Sequence, residues 1–550
     1  MNRFKNKQYF FLGLILLLSL FIRFAFLGPI PPALYTDEVD QGYNAYSILK
    51  TGRDEHGIFL PVSLRSFGDW KPPLPSYLMI PSIMLLGLTE EAVRLPSAIA
   101  GIGIIFITFY LSKELFKDSS SRVKISLIAS FLLAVSPYHI LESRAAMLVI
   151  TALFFLELAI FLFLKSPRKP KLLILSSASF ALTFYSYYGL RLTTPLIIFA
   201  LFIFYRKFLF RQKIVTVISI FTGLIILSPL ILGFINQPDV LFGRAKTISV
   251  FYDQGISLTQ KELITQEYPT QSPLLTRFFH NKLYMYSRNI LSRYLSHLDI
   301  NYLFTTGDKA NPFQLPSMGL FYPPEALFLL LGFIALIKLN KTPKFIILIW
   351  LSIGILPGAL TFITPASNRT FNIIIPLTLL IALGINYLFQ KINRHFFLSF
   401  ILTVIYMISI YSFLYKYFII IPKDYYQWWS YNQSQLGKYI AGLKSKPKNI
   451  IIFDQTTMIY PYILFYEKYD PVAFQKEAQR SYLSDQSGFE HVTDFGRYIF
   501  YSDQNWQDIK QSMIPDSIYI VPKEFTGEKD YGSDIIFPNG TKVYQLIYNP

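Results

Sequence analysis

The sequence predicts a polytopic α-helical membrane protein of about 11 transmembrane helices plus one re-entrant or interfacial segment, with a small C-terminal α/β exocytoplasmic domain. Three observations predict it. Of 550 residues, 52% are hydrophobic and only 15% charged, where soluble domains carry about a quarter charged. Apolar runs long enough to cross a bilayer recur from Tyr9 to Phe418. Lys and Arg gather in short clusters between those runs.

The runs cover residues 9–27, 74–88, 94–112, 125–140, 145–164, 172–188, 192–205, 214–235, 323–339, 345–362, 371–389 and 396–420. Helices are the default, because lipid offers no partner for a free backbone N–H or C=O. The first run is too long for a signal-peptide core and lacks a small-residue cleavage site, so it reads as a retained helix. The second, "PLPSYLMIPSIMLLG", is short and interrupted by Pro75 and Pro81. Charge decides its fate. Clusters lie at Arg3/Lys5/Lys7, Lys113/Lys117/Arg122/Lys124, Lys165/Arg168/Lys169/Lys171, Arg206/Lys207/Arg211/Lys213, Lys338/Lys341/Lys344 and Lys391/Arg394. If 74–88 dips in without crossing, all six fall on the cytoplasmic side, as positive charge at helix ends prefers. The N-terminus is then cytoplasmic and the C-terminus exocytoplasmic. The net charge of +17 is explained by these clusters and calls for no nucleic-acid partner. The chain has no cysteine, which excludes disulfides, thiolate metal sites and a cysteine nucleophile.

The membrane domain is expected to span 1–420, with a first outer loop at 28–93 and a large outer loop at 236–322. In the latter, "RFFHNKLYMYSRNILSRYL" reads as an amphipathic helix lying on the membrane. Residues 421–550 lose the long apolar runs. They show strand-like pieces at 449–453, 497–501, 517–521 and 542–548, with a helix around "TMIYPYILFYEKY".

Charge is sparse on the outward side, which makes what is there informative. Asp37 and Glu38 follow the first run in "YTDEVDQGYNAYSILK". Three short outer loops each hold one arginine: Arg144 in "SPYHILESR", Arg191 in "YSYYGLR" and Arg369 in "TPASNR". Single arginines at helix ends also snorkel to the interface, but three on one side point to a shared anionic ligand. The acidic pair has a second reading as a helix first turn, with Thr36 as N-cap. Arg23 lies within the first span, where a buried guanidinium needs a partner; an acidic residue of the first loop is expected to supply it. Glu142 and His139 are placed to form an acid or metal contact. His56 would order the first loop, and Arg94 at the head of a span would brace structure or touch a ligand.

Taken in order, an N-terminal helix with internal Arg23, an outer loop opening on "DE", "KPPL" at 71–74, "RLPSAIAG" at 94–101, "SPYHILESRAA" at 136–146 and "PASNRTFNIIIP" at 365–376 resemble the GT-C superfamily glycosyltransferases. More narrowly they resemble glycosyltransferase family 39, whose bacterial relatives include the protein O-mannosyltransferase type and the lipid A aminoarabinose transferase. The resemblance covers most of residues 1–390. It implies a GT-C membrane fold, a polyprenyl-phosphate sugar as donor, transfer with inversion on the non-cytoplasmic face, Asp37 as catalytic base and Lys71 as a contact to the donor phosphate. Lys71 stands where the eukaryotic protein mannosyltransferases have histidine, so the acceptor is left open among protein, lipid and glycan.

The chemistry asks for such residues. A carboxylate must take the acceptor proton. The leaving polyprenyl phosphate departs as a stable anion, so cations are needed to hold it and no second acid is required, unlike in glycoside hydrolysis. Asp37 is assigned as base. Glu38 would orient the acceptor. Lys71, Arg144, Arg191 and Arg369 would bind phosphate, with Arg23, Arg94, His56, His139 and Glu142 in support. No cofactor is certain; Asp37, Glu38 and Glu142 are the carboxylates that could hold a divalent cation. The expected enzyme is a polyprenyl-phosphate-sugar-dependent glycosyltransferase moving a hexosyl or pentosyl group, with membrane lipid around it. The alternatives are a lipid-linked sugar flippase and a surface polysaccharide ligase or polymerase. Charges midway through several spans would mark the former; here only Arg23 and Glu157 lie there.

Overall fold

The computed structural model describes residues 2–252, 254–267, 272–310, 312–392, 394–443, 447–454, 458–482, 489–501, 506–526 and 532–550. Every apolar run became helical. Among the described residues eight helices are long and apolar enough to cross a membrane, nine if a bent pair is one span, so the chain is a multi-pass membrane protein. The bent pair is Arg122–Val135 with Pro137–Arg144, at 57° to each other. The break follows from Pro137, which has no N–H for the preceding turn. Ser136 caps the second piece. Leu172–Phe184 and Glu325–Ile337, also expected to span, are 13-residue helices, as is Leu74–Leu86. Thirteen residues rise only about 20 Å, short of a hydrocarbon core of about 30 Å.

Two units divide the chain. The first comprises Met1–Leu27 and Ser97–Ile421. At its centre is Ser367–Lys391, 89% of whose apolar window is buried, consistent with apolar side chains all round. Helix Glu325–Ile337 lies so close to it that a Cβ on Gly384 would meet the Phe328 carbonyl oxygen at 1.8 Å, and one on Gly332 the Leu380 oxygen at 2.0 Å. Small residues permit this approach where lipid gives no hydrophobic driving force. Lys213–Asn236, only 11% buried, presents apolar side chains outward. In the large loop, the single amphipathic helix expected over 277–295 is two helices, Pro273–Phe279 and Lys282–Ser296. Asn281 starts the second by accepting from the Tyr284 amide. That helix buries none of its residues and exposes Leu283, Tyr284, Leu291 and Leu295.

The second unit comprises Gly28–Pro96 and Pro422–Pro550. The first outer loop, expected to belong with 1–420, therefore packs with the C-terminal segment. It contributes a hairpin of β1 (Leu64–Ser66) and β2 (Asp69–Lys71). The C-terminal part builds β3 (Asn449–Phe453), β4 (Gln479–Ser481), β5 (His491–Phe495), β6 (Tyr498–Tyr501), β7 (Ser517–Pro522), β8 (Ser533–Ile536) and β9 (Lys542–Asn549). Among the described residues these form one sheet in the order β4-β5-β6-β3-β7-β9-β8. β3 pairs in parallel with β6 and β7, and the outer pairs are antiparallel. Central β3 reads "NIIIF" because both faces of a parallel strand are covered. The expected helix is Tyr460–Tyr466. Ile451, Phe453, Trp506, Tyr519, Val521 and Ile547 form the core on one face.

Candidate active site

Helix Thr36–Thr51 carries the acidic pair in its first turn. Its cap is Tyr35, with extended backbone at φ −67° and ψ 155°, one residue before the expected Thr36. The Glu38 carboxylate accepts the Tyr35 N–H at 2.9 Å. The carboxylate thus satisfies a donor that the helix leaves open, and Thr36 is free to place its hydroxyl 3.2 Å from Tyr462 Oη.

Adjacent in sequence, Asp37 and Glu38 have opposite fates. Glu38 is wholly buried and paired with buried Arg94, Nε to Oε1 at 3.0 Å and Nη2 to Oε2 at 3.3 Å. Arg94 also donates to the carbonyls of Gly28 (2.8 Å), Pro31 (2.9 Å) and Ala33 (2.5 Å). One guanidinium therefore ties the irregular 28–35 segment to the helix start. Glu38 was expected to orient the acceptor or ligate a metal; both its oxygens are instead committed to this brace.

Asp37 keeps 47% of its side chain exposed and accepts from Lys71 Nζ at 2.6 Å. Lys71 Nζ donates as well to Asp40 Oδ2 at 3.0 Å, and Asp40 is fully buried. The hairpin delivers the lysine. β1 and β2 are joined by Phe67 and Gly68, both with positive φ (52° and 85°), the two-residue turn that suits the strand twist. Pro72 and Pro73 then end the strand, leaving Lys71 as its last residue. Burial opposes charge on Lys71, but Asp37 and Asp40 outweigh it and raise its pKa above the ordinary lysine value. Burial pushes the Asp40 carboxyl up to about 6, with Lys71 opposing and Glu55 adding to the rise.

Behind this cluster lies Glu55. Its amide donates to Asn44 Oδ1 at 3.0 Å, and Asn44 donates to Asp40 Oδ1 at 3.2 Å. Tyr460 Oη donates to the Glu55 carboxylate at 3.3 Å, and Arg480 donates to its carbonyl at 2.9 Å. Burial works against ionised Glu55, yet His56, Arg480 and Lys71 hold its pKa below the usual range. His56 sits 3.3 Å from Glu55 Oε1, so it does bond within the first loop. The hairpin is fixed by Arg65, which pairs with Glu490 and stacks over Tyr482 at 4.6 Å.

The remaining expected residues belong to the first unit. Arg23 finds no carboxylate among its described partners. It donates to Ser19 Oγ (2.9 Å), the Ala134 carbonyl (3.0 Å) and His139 Nδ1 (2.6 Å). Ala134 lies at the C-terminal end of helix Arg122–Val135, where open carbonyls and the negative end of the dipole suit a cation. His139 meets Arg23 through Nδ1, and among the described residues its Nε2 and both Glu142 oxygens make no hydrogen bond. Arg144 donates to the carbonyls of Ile22 and Phe26 and lies over Phe418 at 4.8 Å. Arg191 donates to the carbonyls of Phe184 and Val240, and Arg369 to Thr361 Oγ1 and the Ile363 carbonyl. Each of these arginines thus bonds to backbone carbonyls. Among the described residues no three His, Asp or Glu side chains come together with metal-ligand spacing.

Sequence reasoning missed Asp40, Asn44, Glu55, Tyr460 and Arg480. Asp40 carried a signal, since it lies one helical turn after Asp37. Tyr460 and Arg480 carried none, being hundreds of residues from the loop they reach.

Comparison with known proteins agrees with this architecture. The family described as dolichyl-phosphate-mannose-protein mannosyltransferase matches residues 70–232. A Bacillus subtilis protein named as the mannosyltransferase YkcB is 34% identical over 110 residues; the alignment spans 20% of this chain and 15% of that protein. Among solved structures, ArnT from Cupriavidus metallidurans bound to undecaprenyl phosphate matches with a TM-score of 0.59 at 12% identity, covering 97% of each chain. The Archaeoglobus fulgidus oligosaccharyltransferase tethered to an acceptor peptide matches with a TM-score of 0.51 at 13% identity, covering 84% of this chain and 63% of its own. At these identities the likeness to solved structures is one of fold.

Proposed function

We propose, for a chain of the GT-C type represented by the protein mannosyltransferases and ArnT, that it is an integral-membrane glycosyltransferase using a polyprenyl-phosphate sugar. The sugar passes to an acceptor hydroxyl at the outer face, with the N-terminus cytoplasmic and the C-terminus exocytoplasmic. The observation that carries the reading is the clasp at the end of β2, where Lys71 Nζ lies 2.6 Å from half-exposed Asp37 and 3.0 Å from buried Asp40.

The proposed step balances simply. The acceptor O–H gives its proton to the Asp37 carboxylate as its oxygen bonds to the anomeric carbon from the face opposite the phosphate. The bond between that carbon and the phosphate oxygen breaks, and polyprenyl phosphate leaves with the electron pair. Asp37 later returns the proton to water. Of the ammonium's three N–H groups two point at Asp37 and Asp40, and the third serves a phosphate oxygen. Glu38 acts as a positioning residue through Arg94.

Purified protein incubated with radiolabelled polyprenyl-phosphate sugars should release carrier-linked label. Asp37→Asn should lower the rate by about 10²–10⁴-fold, the usual contribution of a general base. Equal turnover by wild type and Asp37→Asn removes Asp37 as base. Carrier-linked sugar that changes membrane side without losing its label would indicate a flippase.

A further inference from the structure

A base that is also the counter-ion of the phosphate-binding cation presents a conflict. When Asp37 gains the acceptor proton it loses its charge, and with it most of its hold on Lys71. The ammonium is needed most at that moment, as negative charge grows on the leaving phosphate. A single carboxylate cannot serve both tasks; here there are two, with different surroundings.

Asp40 lies one turn after Asp37 on the same helix, and both carboxylates reach Lys71 Nζ. Asp37 has 47% of its side chain exposed and Asp40 has none. Solvent reaches the Asp37 side of its pair with buried Lys71 and screens it, whereas loss of one partner from the fully buried Asp40–Lys71 pair is costly. Asp40 is itself held, its Oδ1 accepting from Asn44 at 3.2 Å. The charged and titratable groups around it are Lys71 from β2, Glu55 from the segment after the helix, and Tyr460 from the C-terminal part; Arg480 faces Glu55. Lys71 is the cation in direct contact.

We propose that Asp40 is the standing counter-ion of Lys71, a positioning residue that keeps the ammonium seated and charged while Asp37 is released to take the acceptor proton. The inference rests on the proposed glycosyl transfer for its purpose, but the seat can be tested without activity. Glu55, held by Tyr460 and Arg480, backs the seat from the C-terminal segment.

The test is competitive acetylation of the full chain in detergent, with mass spectrometry reading Lys71 against half-exposed Lys438 as reference. Asp40→Asn preserves shape and removes charge. It should raise Lys71 reactivity at pH 8 by about tenfold, the effect of one unit of lysine pKa. Asp37→Asn should raise it by clearly less, because solvent reaches the half-exposed Asp37 position and replaces part of that partner. Asp40→Glu should restore low reactivity. In the transfer assay Asp40→Asn should raise donor KM about tenfold with a smaller change in kcat, while Asp37→Asn lowers kcat at unchanged KM. Unaltered Lys71 reactivity in Asp40→Asn, or an equal rise in Asp37→Asn, overturns the proposal. If Asp40 only fills space, Asp40→Asn should match wild type in both readouts. If no donor is turned over by wild type while labelling follows the expected pattern, the seat stands and the reading as a transferase fails.

Discussion

Replacing Glu38 by Gln would test the architecture of the candidate site most sharply. The glutamine side chain could still accept the Tyr35 N–H, so the change isolates charge. Glu38 and Arg94 have no exposed side-chain surface, and Arg94 would remain buried against the three carbonyls without the Glu38 charge. Leaving one member of a buried ion pair costs about 3–5 kcal/mol. In a unit on the order of 200 residues, 1 kcal/mol moves Tm by about 2–4 °C. The expected fall is therefore about 6–20 °C, read by tryptophan fluorescence during a thermal ramp in detergent. Arg94→Met should cost at least as much, since it also strands carbonyls at about 1–3 kcal/mol each. The double variant Glu38→Met/Arg94→Met should not recover beyond Arg94→Met. That distinguishes a brace of backbone from a simple ion pair, for which apolar replacement of both partners is often neutral. A Glu38→Gln melt within about 2 °C of wild type would refute the reasoning.

Three further outcomes follow from the same geometry. Lys71→Met should abolish detectable transfer and Lys71→Arg should retain a fraction of it, because charge survives but the point-like seat between two carboxylates is lost; full activity in Lys71→Met would remove the residue from phosphate binding. Asp54 is buried, its Oδ1 accepting from the amides of His56 and Ile58, and burial raises its pKa to about 6. A raised carboxyl contributes stability that is complete below its unfolded pKa of about 4 and is lost as pH climbs through about 6. Asp54→Asn should accordingly flatten the dependence of Tm on pH between about 4 and 6, and an unchanged slope would contradict this. For topology, cysteines placed at exposed Ser120 and exposed Asn539 in this cysteine-free chain should differ toward an impermeant thiol reagent in intact cells. Ser120→Cys should resist and Asn539→Cys should react; the reverse would invert the proposed orientation.

What could be foreseen, and what could not, divides along a physical line. Apolar runs announce helices because burial in lipid acts on each run separately, and β3, β6, β7 and β9 were legible from dense β-branched and aromatic residues. β4, with the polar sequence Gln-Arg-Ser, owes its existence to pairing with β5 and leaves no local trace. The expected span over 125–140 missed the consequence of Pro137. In the site, Asp37 and Lys71 were named and do meet. Nothing local separates Asp37 from Glu38, since adjacent acids at a helix start look alike. Their roles are set by Arg94, whose buried guanidinium claims one of them. Arg23 was expected to seek a carboxylate, yet a helix end supplied oxygens enough. Pairing energies over long sequence separations decided these cases, and a one-dimensional pattern does not carry them.

The unit that holds Asp37 is assembled from the two ends of a long membrane insertion. A ribosome makes the helix bearing Asp37 early, but Tyr460 and Arg480, which hold Glu55 behind the clasp, emerge only after the intervening helices have been made. Until then Glu55 lacks both bonds and the hairpin lacks Glu490. Biogenesis thus withholds a finished site from a partly synthesised chain, and a truncation at residue 421 would remove the support of the candidate chemistry along with the sheet.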